Sequence, residues 1–235
     1  MSESMSTSSK SLDSTVLAPT VKVDQVTKVF GRVAAVRETS FLFQSHKLYV
    51  LLGDNGAGKS TLLRIIAGLI QPTGGRLEVQ GASRDSFGYM AHASLLYDEL
   101  SGLENLLYFA SLYGLADSKQ HCAQAMSNVG LEAANPKPVR DYSQGMRQRL
   151  SLARAVVHSP RIILLDEPFS NVDAASANQM TKHLARLRDS GCTILLVTHQ
   201  MSVIKEIGDE FLTMRAGQIV EVRRRAQLRP TETSL

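Results

Sequence analysis

Cysteine is scarce in this chain. Its 235 residues hold two, Cys122 and Cys192, far apart and without the spacing of a metal site. That count offers no disulfide framework and fits free thiols in a reducing cytoplasm. Long apolar runs are missing too: none approaches the roughly 18 to 20 residues that cross a bilayer. A role at a membrane would need another chain to supply the span. The opening stretch, MSESMSTSSKSLDSTV, lacks the charged-then-apolar pattern of a secretory signal. There is no internal repeat and no heptad array, which argues against a solenoid or a coiled coil. Neither sign of charge dominates: 26 Lys and Arg stand against 22 Asp and Glu, a net charge of +4. Much of the excess sits in Arg223, Arg224, Arg225 and Arg229. A basic terminus can meet nucleic acid or anionic lipid, but a solvated end is the simpler reading.

What is present is the composition of an ordinary soluble globular protein, 43% hydrophobic and 20% charged. The length allows one large or two small domains with a sizeable core. Residues 1–18 are serine-rich and nearly free of bulky apolar side chains, so a disordered tail is expected. Val21, Val23 and Val26 begin a strand-like pattern that turns at Val29-Phe30-Gly31, with further short strands expected at 33–36 and 41–43. They suggest a small antiparallel sheet. Short strands are also expected at 77–79 and 87–90. Between about 95 and 157 the composition turns helical, with helices expected from Leu103 to Leu112, Ser118 to Val129, and from Ser143 onward. Strands at 161–165 and 193–197 alternate with helices at 174–188 and 201–207, and a hairpin closes around Ala216-Gly217. Alternation of this kind implies a mostly parallel sheet covered on both faces.

The stretch that organises the chain is GDNGAGKST: Gly53, Asp54, Asn55, Gly56, Ala57, Gly58, Lys59, Ser60 and Thr61. It follows a strand-type run, Leu48 to Leu52, and precedes helical spacing from Leu62. Strand, glycine-rich turn, helix is the setting of a phosphate-binding loop. Glycines let the backbone aim its N–H groups at a polyphosphate, and the helix start adds its positive dipole end. Lys59 supplies a charge for the β- and γ-phosphates, and Ser60 a hydroxyl for Mg²⁺. A second feature is Ile162 to Leu165 followed by Asp166 and Glu167. A buried strand there delivers two carboxylates at its C-terminal edge, where α/β sheets place ligands. Asp166 suits the Mg²⁺, and Glu167 suits a general base acting on water.

In order, GDNGAGKST, YSQGMRQR at 142–149, ILLDEP at 163–168, SNVD at 170–173 and VTH at 197–199 resemble the ATPase subunit of ABC transporters. The resemblance runs from about Val21 to Val222. It implies an α/β fold: a P-loop NTPase (RecA-like) core, 19–92 and 158–225, a small antiparallel β subdomain and an inserted helical subdomain, 93–157. Residues 226–235 would be a C-terminal tail. The ligands implied are ATP and Mg²⁺. By the same resemblance Phe30 stacks on adenine, and Ser143, Gln144 and Gly145 stand where the family has its signature, usually close to LSGGQ. Tyr142, Gln144 and Met146 depart from that form. Ser143 as an N-cap, with the N–H groups after it, makes an anion site for the γ-phosphate bound by a second copy. Asp173 connects the two sites, and His199 contacts the γ-phosphate and the catalytic water.

His92 stands where the family usually has glutamine. Imidazole is a poor ligand for hard Mg²⁺, so a water-mediated contact is expected there. His92 with LLYDELSGLENL after it, and the SQGMRQR form of the signature, resemble most the haem-exporter ATPases of bacterial cytochrome c maturation. Related subunits of drug, polysaccharide and lipid exporters share parts of the pattern. No CxxCH haem-attachment motif is present in the chain. The partners implied are a second copy, forming a homodimer, and a separate membrane subunit, with the chain peripheral on the inner face of the cell membrane and no direct nucleic acid. The reading from another class is a soluble ABC-type ATPase acting on nucleic acid or ribosomes. Those relatives usually carry two ATPase halves or long coiled-coil arms, and neither is seen in this sequence. A nucleotide-dependent scaffold with little turnover is the third, and the presence of Asp166, Glu167 and His199 argues against it.

Overall fold

Valines spaced two and three apart bury one side of a long strand, β1 (Thr20–Phe30), where Val21, Val23 and Val26 are fully buried. An equally long β2 (Val33–Phe43) folds back on it antiparallel. The computed structural model describes residues 20–228. The tail expected over 1–18 and most of the one expected at the C-terminus lie outside that range. The two short strands expected at 33–36 and 41–43 are one strand. Register shifts between Val23 and Val29 absorb the residues that break the alternation, as β-bulges do. Adding β4 (Gly74–Gln80) on the other edge of β1 gives a three-stranded sheet, β2-β1-β4.

The main sheet has six strands: β3 (Leu48–Leu52), β5 (Phe87–Met90), β6 (Ile162–Asp166), β7 (Thr193–Val197), β8 (Glu210–Arg215) and β9 (Gln218–Arg224). Their order is β5-β6-β7-β3-β8-β9, parallel throughout except for β9. Leu48, Val50, Ile163, Leu165, Ile194 and Leu196 face one core. Their neighbours Tyr49, Leu51, Ile162, Leu164, Leu195 and Val197 face another. Both faces are dry, which is why these strands read as unbroken apolar runs rather than alternating ones. Each such side chain, fully buried, contributes about 1.5–3 kcal/mol.

Helix α1 (Lys59–Ile66) covers the second face together with the small sheet. The first face takes α2 (Gly102–Leu112), α3 (Lys119–Asn128), α4 (Gln144–Val156), α5 (Ala174–Asp189) and α6 (Met201–Ile204). Ser101 and Glu104 close α2 with a reciprocal capping box, and Gly130, at φ +74°, lets the chain leave after α3. Helix α6 is shorter than the expected 201–207. Its end tightens, with Ile207 N–H on the Ile204 carbonyl at 3.1 Å, before Gly208, where a Cβ would come within 2.5 Å of the Phe211 ring. Among the described residues no helix is long and apolar enough to cross a membrane. Because β3, β6 and β7 are parallel neighbours, the residues that follow each of them emerge along one edge of the sheet.

Candidate active site

The glycine-rich turn after β3 is wedged between two other strands. Gly53 sits at φ +137°, and a Cβ there would lie 2.2 Å from the Met214 carbonyl oxygen. Gly58 sits at φ +100°, and a Cβ would meet the Ala35 carbonyl at the same 2.2 Å. No side chain fits at either place. Gly58 is also the N-cap of α1, so no side chain caps that helix start, and its first N–H groups are left for a ligand. Lys59 is 6% exposed. Its Nζ donates to the Gly53 carbonyl at 2.7 Å and the Asp54 carbonyl at 3.0 Å. Burial pushes the ammonium pKa down, opposed by Glu167, Asp166 and Asp54.

Across the cleft stand the two carboxylates. Asp166 ends β6, is 2% exposed, and accepts from the Ser60 hydroxyl through Oδ1 at 3.0 Å. Its Oδ2 is buried with no hydrogen-bond partner among the described residues. Glu167 follows in the left-handed region at φ +54°. Its N–H donates to the Val197 carbonyl at 2.9 Å, and its own carbonyl accepts from the Gln148 amide at 2.6 Å. The carboxylate Oε1 lies 3.3 Å from His199 Nε2 without hydrogen-bond alignment, and it has no hydrogen-bond partner among the described residues. Burial raises the Glu167 pKa, with His199 and Lys59 opposing and Asp166 adding to the rise.

Gly58, Lys59, Ser60, Asp166, Glu167 and His199 line one cleft of about 750 Å³, together with Asn55, Gly56, Ala57, Thr61 and His92, while Gly53 and Asp54 lie outside its lining. Buried acceptors left unpaired around a buried ammonium are costly unless a ligand completes them. Among the described residues no group of three or more His, Cys, Asp or Glu could hold a metal ion. Asp166 and Ser60 offer hard oxygen donors, too few for a protein-only cage. That set suits a cation that keeps waters and shares a phosphate, the habit of Mg²⁺.

Other expected residues stay outside the cleft. Phe30 is 50% exposed at the end of β1, with Lys28 Nζ 5.2 Å from its ring centroid. Its ladder partner Val33 does line the cleft. Ser143 and Gln144 are exposed on the surface, and the Ser143 hydroxyl caps α4 by accepting from Met146 N–H at 3.2 Å. Gly145 packs against the 171 backbone, where a Cβ would lie 2.9 Å from the Asn171 carbonyl. Asp173 caps α5, accepting from Ser176 N–H at 2.9 Å, and hydrogen bonding from the Ser176 side chain, with that N–H, holds its carboxyl below its usual pKa. Sequence reasoning missed Arg64, Ser170 and Gln200, which line the cleft. Arg64 lies one turn after Ser60, a spacing that could have found it. Gln148 was missed as well. A glutamine one turn before buried Leu152 is a polar residue on an apolar face, and that was its signal.

A family model described as ABC transporter matches residues 36–170. An ABC transporter ATP-binding protein of Methanocaldococcus jannaschii, the uncharacterized MJ1023, is 32% identical over 208 residues, covering 87% of this chain and 77% of that one. The bacitracin transport ATP-binding protein BcrA of Enterococcus faecalis is 32% identical over 210 residues, covering 86% and 68%. Among solved structures, the dimeric post-hydrolysis state of the ATP-binding cassette MJ0796 bound to ADP and Pi superposes with a TM-score of 0.80. It is 23% identical and covers 87% of this chain and 98% of that one, a likeness of fold.

Proposed function

The chain belongs to the ABC transporter family as an ATP-binding subunit, an ATP hydrolase coupled to transport, and from that premise we propose how its residues divide the work. Two copies bind two ATP molecules between them. Each ATP lies in the cleft of one copy against Ser143, Gln144 and Gly145 of the other. The observation that carries this reading is the split: Lys59, Asp166, Glu167 and His199 converge on the cleft, while Ser143 is exposed and away from it.

The loop from Gly53 to Thr61 binds the phosphates through its N–H groups, and Lys59 trades its two loop carbonyls for phosphate oxygens. Mg²⁺, held by Ser60 and Asp166, would neutralise charge on the β- and γ-phosphate oxygens. Glu167 accepts a proton from the attacking water, and its raised pKa makes it a stronger acceptor at neutral pH than an exposed carboxylate. His199, beside that carboxylate, orients the water and stabilises developing charge. Phe30 stacks on adenine, and Asp173 links the two sites. His92 bonds through water and carries the state of the cleft toward the membrane partner. The helical subdomain, 93–157, moves against the core, 19–92 and 158–225, and pushes on a separate membrane subunit. The chain is thus held peripherally at the inner face of the membrane by that partner.

The direction proposed is export, with two readings of the cargo. Haem for cytochrome c biogenesis is supported by His92, the segment after it and the signature form. Export of a drug is supported by the relative named for bacitracin transport. Phosphate release by the purified chain tests the shared part: the rate per chain should rise with protein concentration, and a rate independent of concentration counts against paired copies. Deletion in the source cell separates the cargoes. Loss of c-type cytochromes supports haem, and antibiotic sensitivity with normal cytochromes supports the drug.

A further inference from the structure

We propose that Gln148 is a positioning residue for Glu167: its amide holds the Glu167 backbone so that the carboxylate enters the cleft, and ties that carboxylate to the helix that presents Ser143. The inference rests on Glu167 being the general base. Gln148 lies in the second turn of α4 and is 8% exposed. A polar side chain buried on an apolar helix face is costly unless it is bonded. Its bond is to the Glu167 carbonyl, at 2.6 Å. A carbonyl oxygen only accepts, so the amide nitrogen is the end that faces it.

Glu167 needs such a hold. Its φ of +54° belongs to a region that non-glycine residues adopt only where the surroundings over-determine it. Three bonds do so: its N–H to the Val197 carbonyl at 2.9 Å, its carbonyl from Ser170 N–H at 3.2 Å, and the same carbonyl from Gln148. The first two come from the sheet and from the local turn. Gln148 is the side chain that reaches in from another element. Helix α4 also touches the same segment downstream, where Gly145 packs against the carbonyl of Asn171, itself at φ +59°. The first two turns of α4 therefore brace residues 167–171 at both ends. Ser143 caps the same turns. A displacement of Ser143 on meeting the other copy's triphosphate passes through a rigid helix to the Glu167 of its own cleft. Each cleft then gains an aligned base only when its own signature is engaged at the opposite one.

The test is Gln148→Leu in the full chain, similar in size and without the amide. The kcat for ATP should fall roughly 10- to 100-fold, the usual result of a misplaced catalytic group. The Kd for ATP should stay within about threefold, since the phosphate loop is untouched. In the Gln148→Leu/Glu167→Gln double variant no loss should appear beyond that of Glu167→Gln, because both changes remove one function. Should Gln148→Leu not fold, Gln148→Glu keeps the shape without the amide donor and should lose kcat in the same way at alkaline pH. A folded variant with kcat within about twofold of wild type overturns the proposal, as does a fully additive loss in the double variant. If Glu167→Gln itself hydrolyses ATP normally, the general-base assignment has failed. If Glu167→Gln is inactive while Gln148→Leu is normal, the positioning role alone has failed.

Discussion

Two turns in this molecule open helices beside a candidate phosphate site, and they are finished in opposite ways. The turn at 53–58 ends on Gly58, which offers α1 no side-chain cap, and it borders a cleft with a buried lysine and two carboxylate oxygens that have no hydrogen-bond partner among the described residues. The turn at 142–143 ends on Ser143, whose hydroxyl closes the first turn of α4 at the protein surface. The first leaves its helix start without a side-chain cap, open to an anion under the proposed reading. The second is complete as a helix start and has no catalytic neighbour in its own cleft. On the proposed reading, the same local chemistry serves binding in one place and waits on a second copy in the other.

The largest effect that would separate the two turns belongs to the cleft. Glu167→Gln should lower ATP turnover by roughly 10²–10⁴-fold, the range of a general base, while calorimetric ATP binding persists. Lys59→Ala comes next: it removes a charge-assisted contact and should weaken ATP binding about 10- to 100-fold in the same assay. An unchanged Kd would mean the open turn does not hold phosphate. Ser143→Ala should leave the ATP affinity of a single copy intact, lower turnover about tenfold, and cost about 1 kcal/mol of stability through the lost cap. If turnover follows stability alone, Ser143 is only a cap and the two turns are not comparable.

The smallest effect is one of pH. The folded pKa of Glu167 is raised, chiefly by burial, above the value of 4.5 for a free glutamate. Between those two values the folded state binds more protons than the unfolded one, so the group lowers stability as pH rises through that window. Glu167→Gln removes the penalty. The variant should melt higher than wild type at neutral pH, and the difference should fade below the unfolded pKa. A difference that grows in acid would contradict the raised pKa.

Much of this was legible in the sequence because the parts are local. GDNGAGKST carries its own strand and helix on either side, and Asp166 with Glu167 sits directly after a run that a two-sided sheet requires. Non-local relations were not legible. The bulges that join 33–36 to 41–43 depend on pairing with β1. The close approach of Ala35 to Gly58 joins β2 to the phosphate turn across the fold. The bond from Gln148 to the Glu167 carbonyl spans two elements, and a carbonyl partner leaves no mark on residue type. The resemblance puts His199 at the γ-phosphate and the catalytic water; its place 3.3 Å from Glu167 was not legible, since a lone histidine after a strand has no spacing that forces the contact.

Sedimentation of Glu167→Gln with saturating ATP and Mg²⁺ tests the division of each site between two copies most directly. The expected result is a particle of two chains, returning to one chain when Ser143→Arg is added to the same protein while ATP binding survives. A single-chain particle at saturating ATP, or a pair of chains that Ser143→Arg leaves intact, would contradict it.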